Sequence, residues 1–120
     1  MQERRQAQRT VSSVFIRFKF EDQPEQKHEA FTQDISLEGV KIAAYSRLNL
    51  NDNLELNIDV PNNPDMTIAE GNVRWIGDKS IDAVTGKTTY LAGVEVTYMD
   101  KQDKEYLERF LKVHNPSLKV

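Results

Sequence analysis

Hydrophobic residues recur at every second position through most of this chain. Val14, Ile16, Phe18 and Phe20 interleave with Phe15, Arg17 and Lys19. Period-two alternation of β-branched and aromatic residues predicts a half-buried strand beginning near Val11. The polar stretch Glu21–Lys27, which contains Pro24, predicts a loop. A second strand is expected from about His28 to Ile35. It is followed by a tight turn at Ser36–Gly39 and a third strand over Val40–Ala44. Leu54, Leu56, Ile58 and Val60 alternate with Glu55, Asn57 and Asp59, the clearest strand pattern in the chain. Residues 61–65, Pro-Asn-Asn-Pro-Asp, predict a turn. Met66–Ile76 reads as a fifth strand whose phase slips around Glu70-Gly71-Asn72, which predicts a bulge at Gly71. Gly77–Lys87 reads as a polar loop. Tyr90, Ala92, Val94, Val96 and Tyr98 form the sixth alternating run. The period then changes. Tyr106, Leu107, Phe110, Leu111 and His114 are spaced by three and four, an apolar stripe on a helix capped by Asp100 or Asp103 and ended by Asn115-Pro116. Six short strands and one helix predict a mainly β fold, a small barrel or sandwich. The helix should cover one opening and bury Phe110 and Leu111.

The bulk properties narrow the classes of function. A chain of 120 residues fits one domain with its own core. There is no cysteine, hence no disulfide framework and no thiolate metal site, which suits a reducing cytoplasm. The first residues are polar and do not read as a signal peptide. No apolar run approaches the roughly 20 residues that span a bilayer, so membrane insertion is not expected. Net charge is −3 and unevenly placed. The first 20 residues hold five cations and one carboxylate, net +4; the remainder hold 11 cations and 18 carboxylates, net −7. An acidic body argues against a nucleic-acid polymer, whose binding rests on many phosphate contacts. A short basic arm suits a small anion. Residues 1–10 read as that arm, 11–115 as the folded domain and 116–120 as a tail. The only histidines, His28 and His114, lie too far apart in sequence to form a local metal motif, and no metal or other cofactor is expected.

Two segments carry candidate chemistry. Arg4, Arg5 and Arg9 present planar forks that can grip phosphate, bond the O6/N7 edge of guanine or stack on a base. Asp34-Ile35-Ser36-Leu37-Glu38-Gly39 brings together a carboxylate that accepts, a hydroxyl that both donates and accepts, and a glycine that permits an unusual angle or a close approach. The same residue types also suit any turn. Trp75 is a stacking candidate, although its place in the fifth strand reads as core or packed under the helix. Asp34 with Glu38 has no nucleophile, metal cluster or phosphate-cradling loop beside it, so the chain does not read as an enzyme.

The arginine run Arg5-Gln6-Ala7-Gln8-Arg9 before the first strand, followed after the second by Asp34-Ile35-Ser36-Leu37-Glu38-Gly39, resembles the PilZ domain family. Gly39-Val40-Lys41 and Gly93-Val94-Glu95-Val96 look like the family's third-strand start and late strand. The resemblance implies a six-stranded antiparallel β-barrel with a C-terminal helix and a flexible N-terminal arm, a bacterial receptor for cyclic di-GMP. It implies that Arg5 and Arg9 grip phosphates and guanine, that Asp34 and Ser36 bond a guanine edge, and that Gly39 keeps the turn open. It further implies that Arg4, just before the run, influences how many ligand copies bind, and that a protein partner reads the bound state. Two rivals remain: an adaptor of the same fold that binds protein without nucleotide, and a small-barrel binder of single-stranded nucleic acid.

Overall fold

The computed structural model describes residues 14–60 and 66–114. The elements are β1 (Phe15–Phe20), β2 (Gln23–Ile35), β3 (Gly39–Ala44), β4 (Asn53–Ile58), β5 (Thr67–Ile81), β6 (Thr88–Met99) and α1 (Lys101–His114). The six strands close into a barrel in the order β1-β2-β3-β6-β5-β4, every neighbouring pair antiparallel. Closure leaves each central strand segment paired on both sides, so alternate side chains must point into one enclosed core. Ile16, Phe18, Ile42, Leu54, Leu56, Ile58 and Val73 do so. Of the barrel and the sandwich that the alternation permits, the barrel is therefore the one formed. Among the described residues no helix is long and apolar enough to cross a membrane.

The helical stripe behaves as its spacing predicts. Leu107, Phe110 and Leu111 are buried and join the barrel's own core cluster, while Tyr106 is half-buried. Asp100 occupies the capping position, its carbonyl accepting the first helical bond from the Lys104 amide. Asp103 does something else. Its carboxylate accepts a bond from the Ile68 amide and ties the helix to β5. The expected turn at 61–65 and the side chain of His114 lie outside the described residues, as do Val11–Ser13.

Two hairpins run further than the sequence pattern indicates. β2 begins at Gln23, inside the stretch expected to be a loop. Its register with β1 passes from Phe18 opposite His28 to Phe20 opposite Gln23, so several β2 residues crowd against Lys19 alone. Pro24 lies in that irregular span, where its missing N–H costs no regular ladder bond. β5 likewise continues to Ile81 and β6 starts at Thr88, leaving only 82–87 as the connection where a loop over 77–87 was expected. Gln23–Lys27 and Asp78–Ile81 are exposed throughout, so these stretches have no reason to alternate. β4 also ends at Ile58, two residues before the last apolar position of its run. His28 is not a simple surface residue. Its ring stacks on Phe18 at 5.2 Å and meets Phe20 edge-on, with Nδ1 2.7 Å from the Ser46 hydroxyl.

The register does slip at Gly71, but the bulge expected in β5 itself is not formed there, since Ala69, Gly71 and Val73 stay in phase. Glu70 faces Tyr98 and Gly71 faces Val96, so the extra residue is Thr97, on the partner strand. Glycine is needed there because a Cβ would come within 2.6 Å of Val94 Cγ1 and 3.1 Å of the Glu95 carbonyl oxygen.

Candidate functional site

Two further one-residue slips decide what the outer wall of the barrel presents. In β2, Thr32 faces Ile42 and Asp34 faces Lys41, so Gln33 is an inserted residue. Thr32 points into the core; strict alternation would send Asp34 after it. The insertion sets Asp34 opposite Lys41 of the outer row instead, although Asp34 itself stays buried, at 8 % exposure. In β5, Val73 faces Val94 and Trp75 faces Gly93, so Arg74 is inserted. Ala69, Gly71 and Val73 are buried in phase, and the same alternation places Trp75 in the core. The insertion overturns that reading. Trp75 is 42 % exposed, on the outside.

Between these slips, Lys41 faces Gly93 across β3 and β6. The result is one transverse row over four strands, Asp34–Lys41–Gly93–Trp75. Three strand spacings make it about 14 Å wide. Gly93 is the floor of the row. A Cβ there would overlap Nε1 and Cδ1 of Trp75, so the indole lies directly over β6 only because this residue has no side chain. The Lys41 ammonium lies 5.8 Å from the centre of the Trp75 ring, a cation over an aromatic face.

The Ser36–Gly39 corner borders the row. The Ser36 amide donates to the Gly39 carbonyl at 2.9 Å. The Ser36 hydroxyl accepts from the Glu38 and Gly39 amides and donates to the Gly39 carbonyl, all at 3.2 Å. In this arrangement the buried hydroxyl serves the corner's own backbone. Gly39 heads β3 opposite Glu95; among the described residues the glycine with a left-handed φ is Gly86, at 72°. The Glu38 carbonyl accepts from the Val96 amide, which fastens the corner to β6. A groove of about 230 Å³ opens beside it, walled by Gly39, Gly93, Trp75, Arg74 and Glu95. Arg74 bonds one Glu95 oxygen through Nε at 2.8 Å and Nη2 at 2.5 Å.

Asp34, Ser36 and Gly39 are therefore brought together on one wall. Arg4, Arg5 and Arg9 lie outside the described residues. Where the chain enters β1, the Val14 amide donates to the Thr32 hydroxyl at 2.8 Å and the Thr32 amide donates to the Val14 carbonyl at 3.0 Å. Val14 is thus tied to β2 two residues before Asp34. Lys41, Arg74 and Gly93 were not singled out from sequence as site residues, and Trp75 was assigned to the core. No local sequence signal marks them, because Val73-Arg74-Trp75 alternates cleanly in sequence.

Comparison with solved structures finds the same fold in several proteins. The PilZ domain of Escherichia coli YcgR with c-di-GMP superposes with a TM-score of 0.71 at 15% identity, covering 95% of this chain and 93% of that one. The Bacillus subtilis inhibitor of motility MotI/DgrA gives 0.69 at 19% identity, covering 96% of this chain and 53% of that one. The apo structure of MrkH from K. pneumonia gives 0.65 at 14% identity, covering 95% and 53%. This chain spans about half the length of the last two. Comparison with curated proteins by sequence finds no match. The PilZ domain family matches residues 3–112, nearly the whole chain. The chain belongs to the PilZ domain family.

Proposed function

We propose that this protein is a receptor for cyclic di-GMP, not an enzyme, and that it orders its N-terminal arginine arm over the bound nucleotide. The observation that carries this reading is the outer row Asp34–Lys41–Gly93–Trp75 beside the Ser36–Gly39 corner. It offers a carboxylate for guanine N–H groups, a cation for phosphate and an aromatic plane for a purine. Asp34 takes a guanine edge. Ser36 holds the corner in shape, and bonds guanine itself only if its hydroxyl turns away from the Gly39 carbonyl. Gly39 lets the groove approach the backbone of β3. Arg5 and Arg9 close over the phosphates and the guanine faces, and Arg4 adds a cation suited to a stacked ligand pair with four phosphate charges.

The tie between Val14 and Thr32 supports this arrangement by distance. Arg9 lies five residues before Val14, so its backbone reaches about 17 Å when extended, more than the width of the row. Arg5 reaches further. A micromolar complex needs only about 8 kcal/mol, and charge-assisted hydrogen bonds supply roughly 1.5–3 kcal/mol each against the cost of ordering the arm. The family kinship and the ligand of the YcgR PilZ domain support the same reading. A new surface formed by the closed arm would be read by a protein partner in the bacterial cytoplasm.

Titration calorimetry of the full chain with cyclic di-GMP is the test. Saturable heat is expected, with Arg5→Ala or Arg9→Ala losing most of the affinity while the thermal midpoint stays put. One ligand per protomer at saturation rejects the stacked pair. No heat at high ligand concentration rejects the receptor and leaves the nucleotide-independent adaptor. A DNA or RNA oligomer serves as control.

A further inference from the structure

Arg74 has a place that the arm and the Asp34–Gly39 corner do not explain. It is the inserted residue of β5, with no opposite number in the ladder with β6. An unbulged strand would send either Arg74 or Trp75 inward. Here the insertion puts both on the face that carries the row. The Arg74 guanidinium is held by a single oxygen of Glu95, and Glu95 stands opposite Gly39 at the start of β3. Both side chains are about half exposed, at 55% and 50%. An exposed pair of this kind contributes little, so exchanging its partner is cheap. Glu38 and Glu95 both line the groove. With Arg74 removed they would confront an incoming dianion with two unopposed carboxylates.

We propose that Arg74 is a ligand-binding cation supplied by the barrel itself, and that Glu95 holds it in reserve. The inference rests on the receptor reading above. When the nucleotide enters the groove, a phosphate oxygen replaces the Glu95 carboxylate as acceptor for Arg74. Arginine suits this exchange because its planar fork bonds carboxylate and phosphate in the same geometry. Glu95 is a positioning residue. It keeps the guanidinium beside the groove and sets the threshold for binding by competing with the ligand for it.

The experiment is calorimetry of the full chain with cyclic di-GMP across a salt series, on the wild type, Arg74→Gln, Glu95→Gln and the double variant. Thermal melting checks that these exposed substitutions leave the fold intact. Arg74→Gln is expected to weaken binding by roughly tenfold or more and to flatten its salt dependence. Glu95→Gln frees the guanidinium and is expected to tighten binding several-fold. The double variant should recover part of the loss, because Glu95→Gln also removes one of the two carboxylates that face the dianion, but Glu95→Gln should gain less there than it does in the wild-type background, where it also frees Arg74. Arg74→Gln binding within about twofold of the wild type, with unchanged salt dependence, overturns the inference. So does weaker binding by Glu95→Gln, which would make Glu95 an acceptor for guanine. If the wild type binds and Arg5→Ala does not, either result sinks only the role of Arg74. If the wild type gives no heat, the receptor reading fails and this inference fails with it.

Discussion

Trp75 and Gly93 form a pair in which one residue makes room for the other. The indole occupies the space that any β-carbon at 93 would fill, and Lys41 stands over its ring. A base entering the groove can use the same aromatic face, displacing the ammonium toward phosphate. Base–aromatic stacking is worth about 1–3 kcal/mol, so Trp75→Ala should weaken cyclic di-GMP binding by roughly tenfold. The side chain is exposed, so the thermal midpoint should hardly change. Trp75 is the sole tryptophan of the chain, and its fluorescence should shift on titration with the ligand. An unchanged spectrum at saturating ligand would remove Trp75 from the site. The carboxylate, hydroxyl and glycine of the corner were legible as residue types at a fixed spacing. Trp75 was not, because its phase in β5 matches the buried Ala69 and Val73, and the insertion of Arg74 that reverses it has no residue signature of its own.

The β5–β6 hairpin shows how an element holds its end without a core. Its tip lies in solvent, with Ile81 and Val84 exposed. Asp82 organises the connection. Its Oδ1 accepts from the Val84 amide at 2.8 Å and the Thr85 amide at 3.3 Å, and its Oδ2 accepts from the Tyr45 hydroxyl at 3.1 Å. The Val84 and Thr85 amides, followed by the Tyr45 hydroxyl, hold the Asp82 carboxyl below its ordinary range. Partial burial, and then the bond to Asp82, push the Tyr45 phenol up. The signs define a window. The depressed Asp82 contributes stability that is full above the ordinary carboxylate pKa of about 4 and is lost as pH falls through its lower folded value. The raised Tyr45 contributes stability that is full below the ordinary phenol pKa of about 10 and is lost as pH rises through its higher folded value. NMR titration of the Val84 amide should therefore report an acid midpoint below the usual Asp range, and Asp82→Asn should abolish that transition. A midpoint at or above the ordinary value would contradict the role of Asp82. The sequence marks residues 77–87 as a loop because alternation arises only where one face is buried, and Asp78–Ile81 are exposed throughout.

At the scale of the molecule, the barrel and its helix share one core. Leu107 and Leu111 are each 1% exposed and pack in the same cluster as Phe18 and Leu56. Leu107→Ala or Leu111→Ala should lower stability by about 2–5 kcal/mol, as for other large-to-small core changes. Urea unfolding followed by circular dichroism measures this; a loss below about 1 kcal/mol would mean that the helix is not part of the core. The amino-acid order by itself determined that strands come first and a helix last, which strand positions face inward and which turn carries the Asp-Ser-Gly residues, since period-two and helical spacings follow from backbone geometry alone. It also carried the family kinship. Tertiary structure alone decided how the strands close and where register slips by one residue at Gln33 and at Arg74. Those slips depend on how neighbouring strands pair around the whole circumference, a non-local fit that no stretch of sequence contains. They are what set Asp34 opposite Lys41, carry Arg74 and Trp75 to the outside and line the three up along one wall.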